Sequence, residues 1–555
     1  MPADDRAPPA VGSDPDPPVA GQQTELTSQG DAPSASPDPG QRAGQGGAAG
    51  PRRDRSTRTD PVAWLIALAA FLAYDVISVF KYLRLDPGSW DLGIFTEYVK
   101  QVAHLHAPVV AIRGTGFNLL GDHFQPIVAL IAPFFRVFPT PETLLVAQAL
   151  LTAISVVPVC RAARELLGTW PSRGIGLAYG FSWGLQQMID FDFHEIAFAV
   201  PLLAFCLSAL VRRRLRPAVL WALPLVLVKE DQGFTIAAIG LVMAGMGLAR
   251  QRAVRDGTAE GAWDDEPGAW IRGGIFLAGW GLLWSALAIG VIIPHFNPAH
   301  HYPYWNDGGV VAPGGHLSLS AIAHQFVRAG TEKLWTVYLI LLPVAFLALR
   351  SPLALIALPS LVLRFVSTNT YYWGDGWHYN ATVMPIVFLA AIDGMARFRA
   401  ASARRTARTH RIPRTRLPYP AEAAARYGAA VMVVIAVWLA FRFPLDGLWN
   451  SQTYQISPHV SAEDAAMSRV PDGVTVEATL SMLAPLAARD DTYWVGTSPN
   501  PAPQYIVFDN DDSGWSPPPA NVLQFVEQRH PGYEYQRIFL DNNVYVFRRV
   551  GRTGG

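Results

Sequence analysis

Twelve apolar runs follow one another between residues 62 and 443, and they decide what this chain can become. They fall at about 62–80, 126–138, 142–160, 174–188, 196–211, 217–229, 232–249, 270–293, 333–349, 352–367, 381–397 and 425–443. A run near 20 residues spans a bilayer core of about 30 Å. A water-soluble chain of this length would carry shorter runs and more charge. Here 50% of the 555 residues are hydrophobic and 16% are charged.

Arginine sets the orientation, because Lys and Arg accumulate in cytoplasmic loops. Clusters occur at Arg161, Arg164 and Arg173, at Arg212–Arg214 and Arg216, and at Arg250, Arg252 and Arg255. The densest runs from Arg397 to Arg416. The first run follows Arg52, Arg53, Arg55 and Arg58 and reads as an uncleaved anchor with its N-terminus inside. One crossing must then separate the anchor from the basic loop at 161–173. The run 126–138 is too short to cross comfortably and reads as a helix on the outer membrane surface; 142–160 is the second span. About eleven transmembrane helices result, with every basic cluster inside and the C-terminus outside.

The chain therefore reads as mainly α, a polytopic helical membrane protein with a small α/β extracytoplasmic C-terminal domain. Residues 1–59 are rich in Gly, Pro, Ala and Ser and are expected to form a disordered cytoplasmic tail. Residues 60–443 form the transmembrane domain, with an outer first loop at 81–125. Residues 444–555 alternate as strands do in GVTVEATL, TYWVGT, QYIVFDN and RIFLDNNVYVFRR, the last pair turning at Asp541–Asn543. NVLQFVEQRH reads as a helix. Cys160 and Cys206 each lie in an apolar run and read as small core residues.

The outer loops hold the unusual residues. Asp91, in SWDLGIFTEYV, precedes an amphipathic helix carrying Leu92, Phe95, Val99 and Val102 on one side. It reads either as an N-terminal cap or first-turn acid of that helix, or as a general base at the membrane surface. GDHFQP places Asp122, His123 and Gln125 before Pro126 at a helix start. IDFDFHE gathers Asp190, Asp192, His194 and Glu195 between two spans, as a site wall or a metal cluster. Lys229, Glu230 and Asp231 sit between two runs with almost no loop. They are a tight turn with an internal pair, or a site in which Lys229 meets a phosphate. HFNPAHHYPYWNDGG and NTYYWGDGWHYN add His300, His301, Asp375 and His378 among aromatic residues that suit an interface belt or a sugar platform.

Together WDLGIF, GDHFQPIVALIAPFFRVFPTPETLLVAQAL, FDFHE, KED and HYNATVMP resemble a prokaryotic membrane family, domain of unknown function 2079, over about residues 62–550. That family in turn resembles the GT-C class of membrane glycosyltransferases. DHFQP is similar to a His-Pro-Pro element of the protein O-mannosyltransferase branch but lacks the first Pro, and Asp91 is followed by Leu92 where that class has a second acid.

The resemblance implies a GT-C-like fold in a bacterial plasma membrane and an inverting sugar transfer from a polyprenyl-phosphate donor. The acceptor would be an extracytoplasmic glycan, lipid or protein. Asp91 would be the base. Lys229, with His123 or His378, would stabilise the departing phosphate. Asp122, His194, Glu195, Glu230 and Asp231 would complete the substrate site. No cofactor is fixed, a divalent metal ion stays open, and no nucleic-acid partner is expected. A membrane transporter or lipid flippase would instead place its charges near the midplane. A non-catalytic receptor would bind through the C-terminal domain.

Overall fold

The computed structural model describes residues 60–259, 261–305, 318–408 and 420–552. The tail at 1–59 and Arg411, Arg414 and Arg416 lie outside the described residues.

Among the described residues six helices are long and apolar enough to cross a membrane: Pro61–Leu83, Glu142–Leu167, Gln232–Arg255, Pro267–Phe296, His378–Ser402 and Ala423–Ala440. This is fewer than the eleven spans read from the sequence. Several of the other runs fold as shorter apolar helices: Pro126–Phe135, Glu195–Val211, Leu215–Leu227 and Pro352–Val366. The run 174–188 is divided between Thr169–Gly180 and Trp183–Phe191. The run 333–349 breaks where Ala345 and Phe346 adopt left-handed backbone, at φ 47° and 60°. Proline accounts for much of the difference. Pro224, Pro343, Pro352 and Pro359 stand in these segments and remove backbone donors, a cost to which hydropathy is blind.

The long helices expose apolar faces that water would not tolerate at this extent. Trp64, Leu65, Leu68 and Leu72 are exposed on the first, and Ile275, Phe276, Leu282 and Leu283 on Pro267–Phe296. Lipid is the solvent that suits them. Between Gln232–Arg255 and Pro267–Phe296 the contact is made by small residues. A Cβ at Gly233 would stand 2.2 Å from the Gly281 carbonyl oxygen, and one at Gly240 would stand 2.3 Å from that of Gly274. Without a hydrophobic drive in lipid, such close backbone approach holds helices together.

The C-terminal residues carry a five-stranded sheet in the order β2-β1-β3-β5-β4. The strands are β1 Thr475–Ala478, β2 Asp491–Trp494, β3 Tyr505–Asp509, β4 Tyr533–Asp541 and β5 Val544–Arg552. β1 pairs in parallel with β2 and β3, whereas β5 runs antiparallel to β3 and β4. The β4–β5 hairpin turns where Asn542 and Asn543 take positive φ, which Asn tolerates better than most residues.

The amphipathic segment after Asp91 forms a helix at Asp91–Ala103 that is buried on more than its apolar side. Phe95 meets Phe193 edge to face at 5.2 Å. On another side Gly93 lies against Leu483 and Ala484 of the sheet region. Lys100 Nζ donates to the Asp490 carbonyl at 2.5 Å, and Thr497 Oγ1 donates to that of Ile112 at 3.0 Å. The sheet thus braces the loop that carries Asp91.

Candidate functional site

Asp91 is held from behind. The turn before it, Pro87–Trp90, is fixed by Asp192, whose carboxylate accepts from the backbone N–H of Gly88 at 3.0 Å and of Ser89 at 3.0 Å. Asp192 itself sits at φ 124°. Gln148, on the helix Glu142–Leu167, orders that turn: its amide donates to the Asp192 carbonyl, and its oxygen accepts from the His194 N–H at 3.0 Å. A Cβ on Gly88 would stand 2.2 Å from the Phe191 carbonyl oxygen. Gly88→Ala is therefore expected to cost about 1–3 kcal/mol through overpacking. Thermal unfolding checks this; an unchanged midpoint would contradict the close approach.

Around Asp91 the loops supply cation–carboxylate pairs. Lys229 Nζ lies 3.1 Å from Glu195 Oε1. His194 Nδ1 lies 3.0 Å from Glu195 Oε2. His123 Nδ1 lies 2.7 Å from Glu230 Oε1, which also accepts from the Tyr302 hydroxyl at 3.0 Å. Glu230 Oε2 accepts from the Phe124 N–H at 3.1 Å, which ties the GDHFQP loop to the Lys229–Asp231 turn. Arg113 and the Tyr304 hydroxyl both bond Asp122 Oδ1, at 3.1 and 3.0 Å. Tyr304 stacks on His123 at 4.3 Å. His378 stacks on His194 at 3.5 Å.

Asp91 is the odd acid in this set. Among the described residues its carboxylate makes no ion pair and accepts no hydrogen bond. Burial, then the negative charges of Glu195 and Asp122, outweigh Lys229 and His123 and push its carboxyl up to about 7. Burial alone would lower the Lys229 ammonium, but Glu195, Glu230 and Asp231 override it and raise it above its ordinary value. Burial likewise opposes protonation of His123, and Glu230 overrides it to raise that imidazole. The result is a half-buried carboxyl poised near neutrality in the field of a fixed ammonium.

Among the described residues of these loops, His378 Nδ1, Gln125 Oε1 and Gln232 Oε1 are buried with neither a hydrogen-bond nor an ion-pair partner. Buried polar atoms are rarely left so.

The structure brings Asp91, Asp122, His123, His194, Glu195, Lys229, Glu230 and His378 together, with Asp231 at the same turn. Other residues singled out in the sequence stand apart. Asp190 pairs with Lys81 at 3.3 Å. Asp192 serves Gly88 and Ser89, so the IDFDFHE acids do not converge as one metal cluster. His300 and His301 are exposed, and Asp375 accepts from Trp335 at 3.3 Å. Asp190, Trp335 and Asp375 line a separate cavity of about 670 Å³, together with Lys81 and Arg442. Sequence reasoning passed over Arg113, Gln148, Tyr302 and Tyr304. The two tyrosines flank Pro303 in a segment whose aromatic residues a membrane interface also explains. Arg113 and Gln148 gave no signal at all.

The family described as predicted membrane protein (DUF2079) matches residues 81–543. No curated protein matches the chain. Among solved structures the chain is similar to ArnT from Cupriavidus metallidurans bound to undecaprenyl phosphate, at 13% identity and a TM-score of 0.48, over 87% of this chain and 97% of that one. The apo form of the same protein gives 14% and 0.48 over the same shares. The Archaeoglobus fulgidus oligosaccharyltransferase, in complex with Zn and sulfate, is similar at 12% identity and a TM-score of 0.34, over 88% of this chain and 73% of that one.

Proposed function

The chain belongs to the DUF2079 family of predicted membrane proteins, and from that premise we propose that it is an inverting membrane glycosyltransferase. Its donor is a sugar on a polyprenyl phosphate, and its acceptor is an extracytoplasmic glycan, lipid or protein. The observation that carries this reading is the setting of Asp91, a carboxyl unpaired among the described residues and pushed up to about 7 by burial, in the field of the Lys229–Glu195 pair. A general base works best when its pKa lies near the working pH.

In this mechanism Asp91 takes the proton of an acceptor hydroxyl. The hydroxyl oxygen forms its bond to the anomeric carbon from the face opposite the phosphate. The bond from that carbon to the phosphate oxygen breaks, and the electron pair leaves with the lipid phosphate. The transition state has oxocarbenium character, as in glycoside hydrolysis. Lys229 keeps donors free beyond its contact with Glu195 and offsets the charge growing on the phosphate. The His378 ring nitrogen and the Gln125 and Gln232 oxygens, buried without partners among the described residues, are left to bond sugar hydroxyls. The long helices hold the lipid tail, and the cluster and sheet face the extracytoplasmic side of a bacterial plasma membrane.

Purified protein in lipid, given labelled polyprenyl-phosphate sugars and acceptor membranes, is expected to transfer label. Because Asp91 must be deprotonated to act, kcat/KM should rise with pH and level off above about 7. The absence of transfer from every such donor, or a rate flat across that range, would contradict the proposal.

A further inference from the structure

A second constellation lies in the sheet region, away from Asp91. His459 stands in the first turn of the helix Pro458–Met467, and Asp509 is the last residue of β3. His459 Nε2 is 2.9 Å from Asp509 Oδ2. Asp511 follows two residues later, and one donor atom from each of the three lies within 4.8 Å of the others. Metal–ligand bonds of about 2.0–2.6 Å put donors in adjacent positions near 3 Å apart and opposite ones at 4–5 Å. The observed spacings fit that range.

Three further observations separate this from a simple helix-to-strand contact. Glu463, one turn on from His459, is only 2% exposed. One of its carboxylate oxygens accepts from Ser481; among the described residues the other accepts nothing, although the charges of Asp509, His459 and Asp512 act on it. Secondly, among the described residues no lysine or arginine pairs with Glu463, Asp509 or Asp511, and the Asp511 carboxylate meets only the neutral Asn543 amide, at 3.1 Å. Thirdly, the group stands at the carboxyl ends of β1 and β3. β1 is flanked by β2 on one side and by β3 on the other. Such a switch point between parallel strands leaves a crevice where ligands bind.

We propose that His459, Asp509 and Asp511, with Glu463 beside them, bind one divalent first-row transition ion, Mn²⁺ or Zn²⁺. A mixed imidazole and carboxylate set suits these ions, whereas Mg²⁺ and Ca²⁺ favour oxygen alone. The site stands independently of the glycosyltransferase reading.

Chelator-treated full-length protein in detergent is titrated with Mn²⁺, and the free-ion paramagnetic resonance signal is read. One Mn²⁺ per chain should disappear from that signal, and Zn²⁺ should return it. His459→Ala and Asp511→Asn should each weaken binding tenfold or more, whereas the exposed His301→Ala should bind as the native chain does. Asp511 is exposed, so its substitution leaves the core of the sheet untouched. A native chain that takes up no stoichiometric Mn²⁺ would overturn the proposal. So would His459→Ala and Asp511→Asn proteins that bind it undiminished, or loss of binding in His301→Ala alone.

Discussion

Replacing Asp91 by Asn is expected to lower sugar transfer about 10²–10⁴-fold, the usual worth of a general base. The substitution keeps the shape of the side chain and removes only its ability to take a proton. Because the carboxylate makes no ion pair and accepts no hydrogen bond among the described residues, the fold loses little. Asp91 N–H bonds Ser89 Oγ at 3.0 Å, and that contact is kept. The thermal midpoint should therefore stay near that of the native chain while turnover collapses. A well-folded Asp91→Asn protein with normal turnover would remove Asp91 from the mechanism. A protein that unfolds would instead identify Asp91 as a structural acid of its helix.

Lys229→Met should act on stability as well as on rate. Glu195 is 1% exposed, and Lys229 is its fixed cation. Removing one partner of a buried pair leaves an uncompensated charge, at a cost of about 3–5 kcal/mol. His194, still in contact with Glu195, softens that loss in part. The double variant Lys229→Met, Glu195→Gln removes both charges, so it should recover most of the stability. It should not recover transfer, because the ammonium that offsets the leaving phosphate is gone. Unfolding and transfer measured on the same three proteins separate the two roles. Equal stability of the single and native proteins would show that the pair is not fixed.

Much of this was legible from residue types alone, for identifiable reasons. Charged residues wedged between apolar runs are costly, so Lys229, Glu230 and Glu195 stood out without any knowledge of their partners. Alternation gave the strands, and the Asp541–Asn543 turn emerged because Asn accepts positive φ. What stayed hidden depends on distant neighbours. Asp192 looked like a possible metal ligand, yet its work is to cap the Gly88–Ser89 backbone. His300 and His301 stood out by residue type, whereas Tyr302 and Tyr304 make the contacts with Glu230 and Asp122. The span count differed because hydropathy measures apolar length and not helical continuity. Phe181–Ser182 and Ala345–Phe346 interrupt runs that read as single spans.

These loops are proposed to hold a lipid-borne phosphate within reach of a poised base. A structure of the protein in lipid with bound polyprenyl monophosphate tests it most directly. The account predicts the phosphate within contact of Lys229, with Asp91 facing the space where the sugar would stand and His378 Nδ1 bonded to ligand or water. A phosphate bound away from Lys229 and Asp91, or a path opening through the middle of the helical layer, would contradict it.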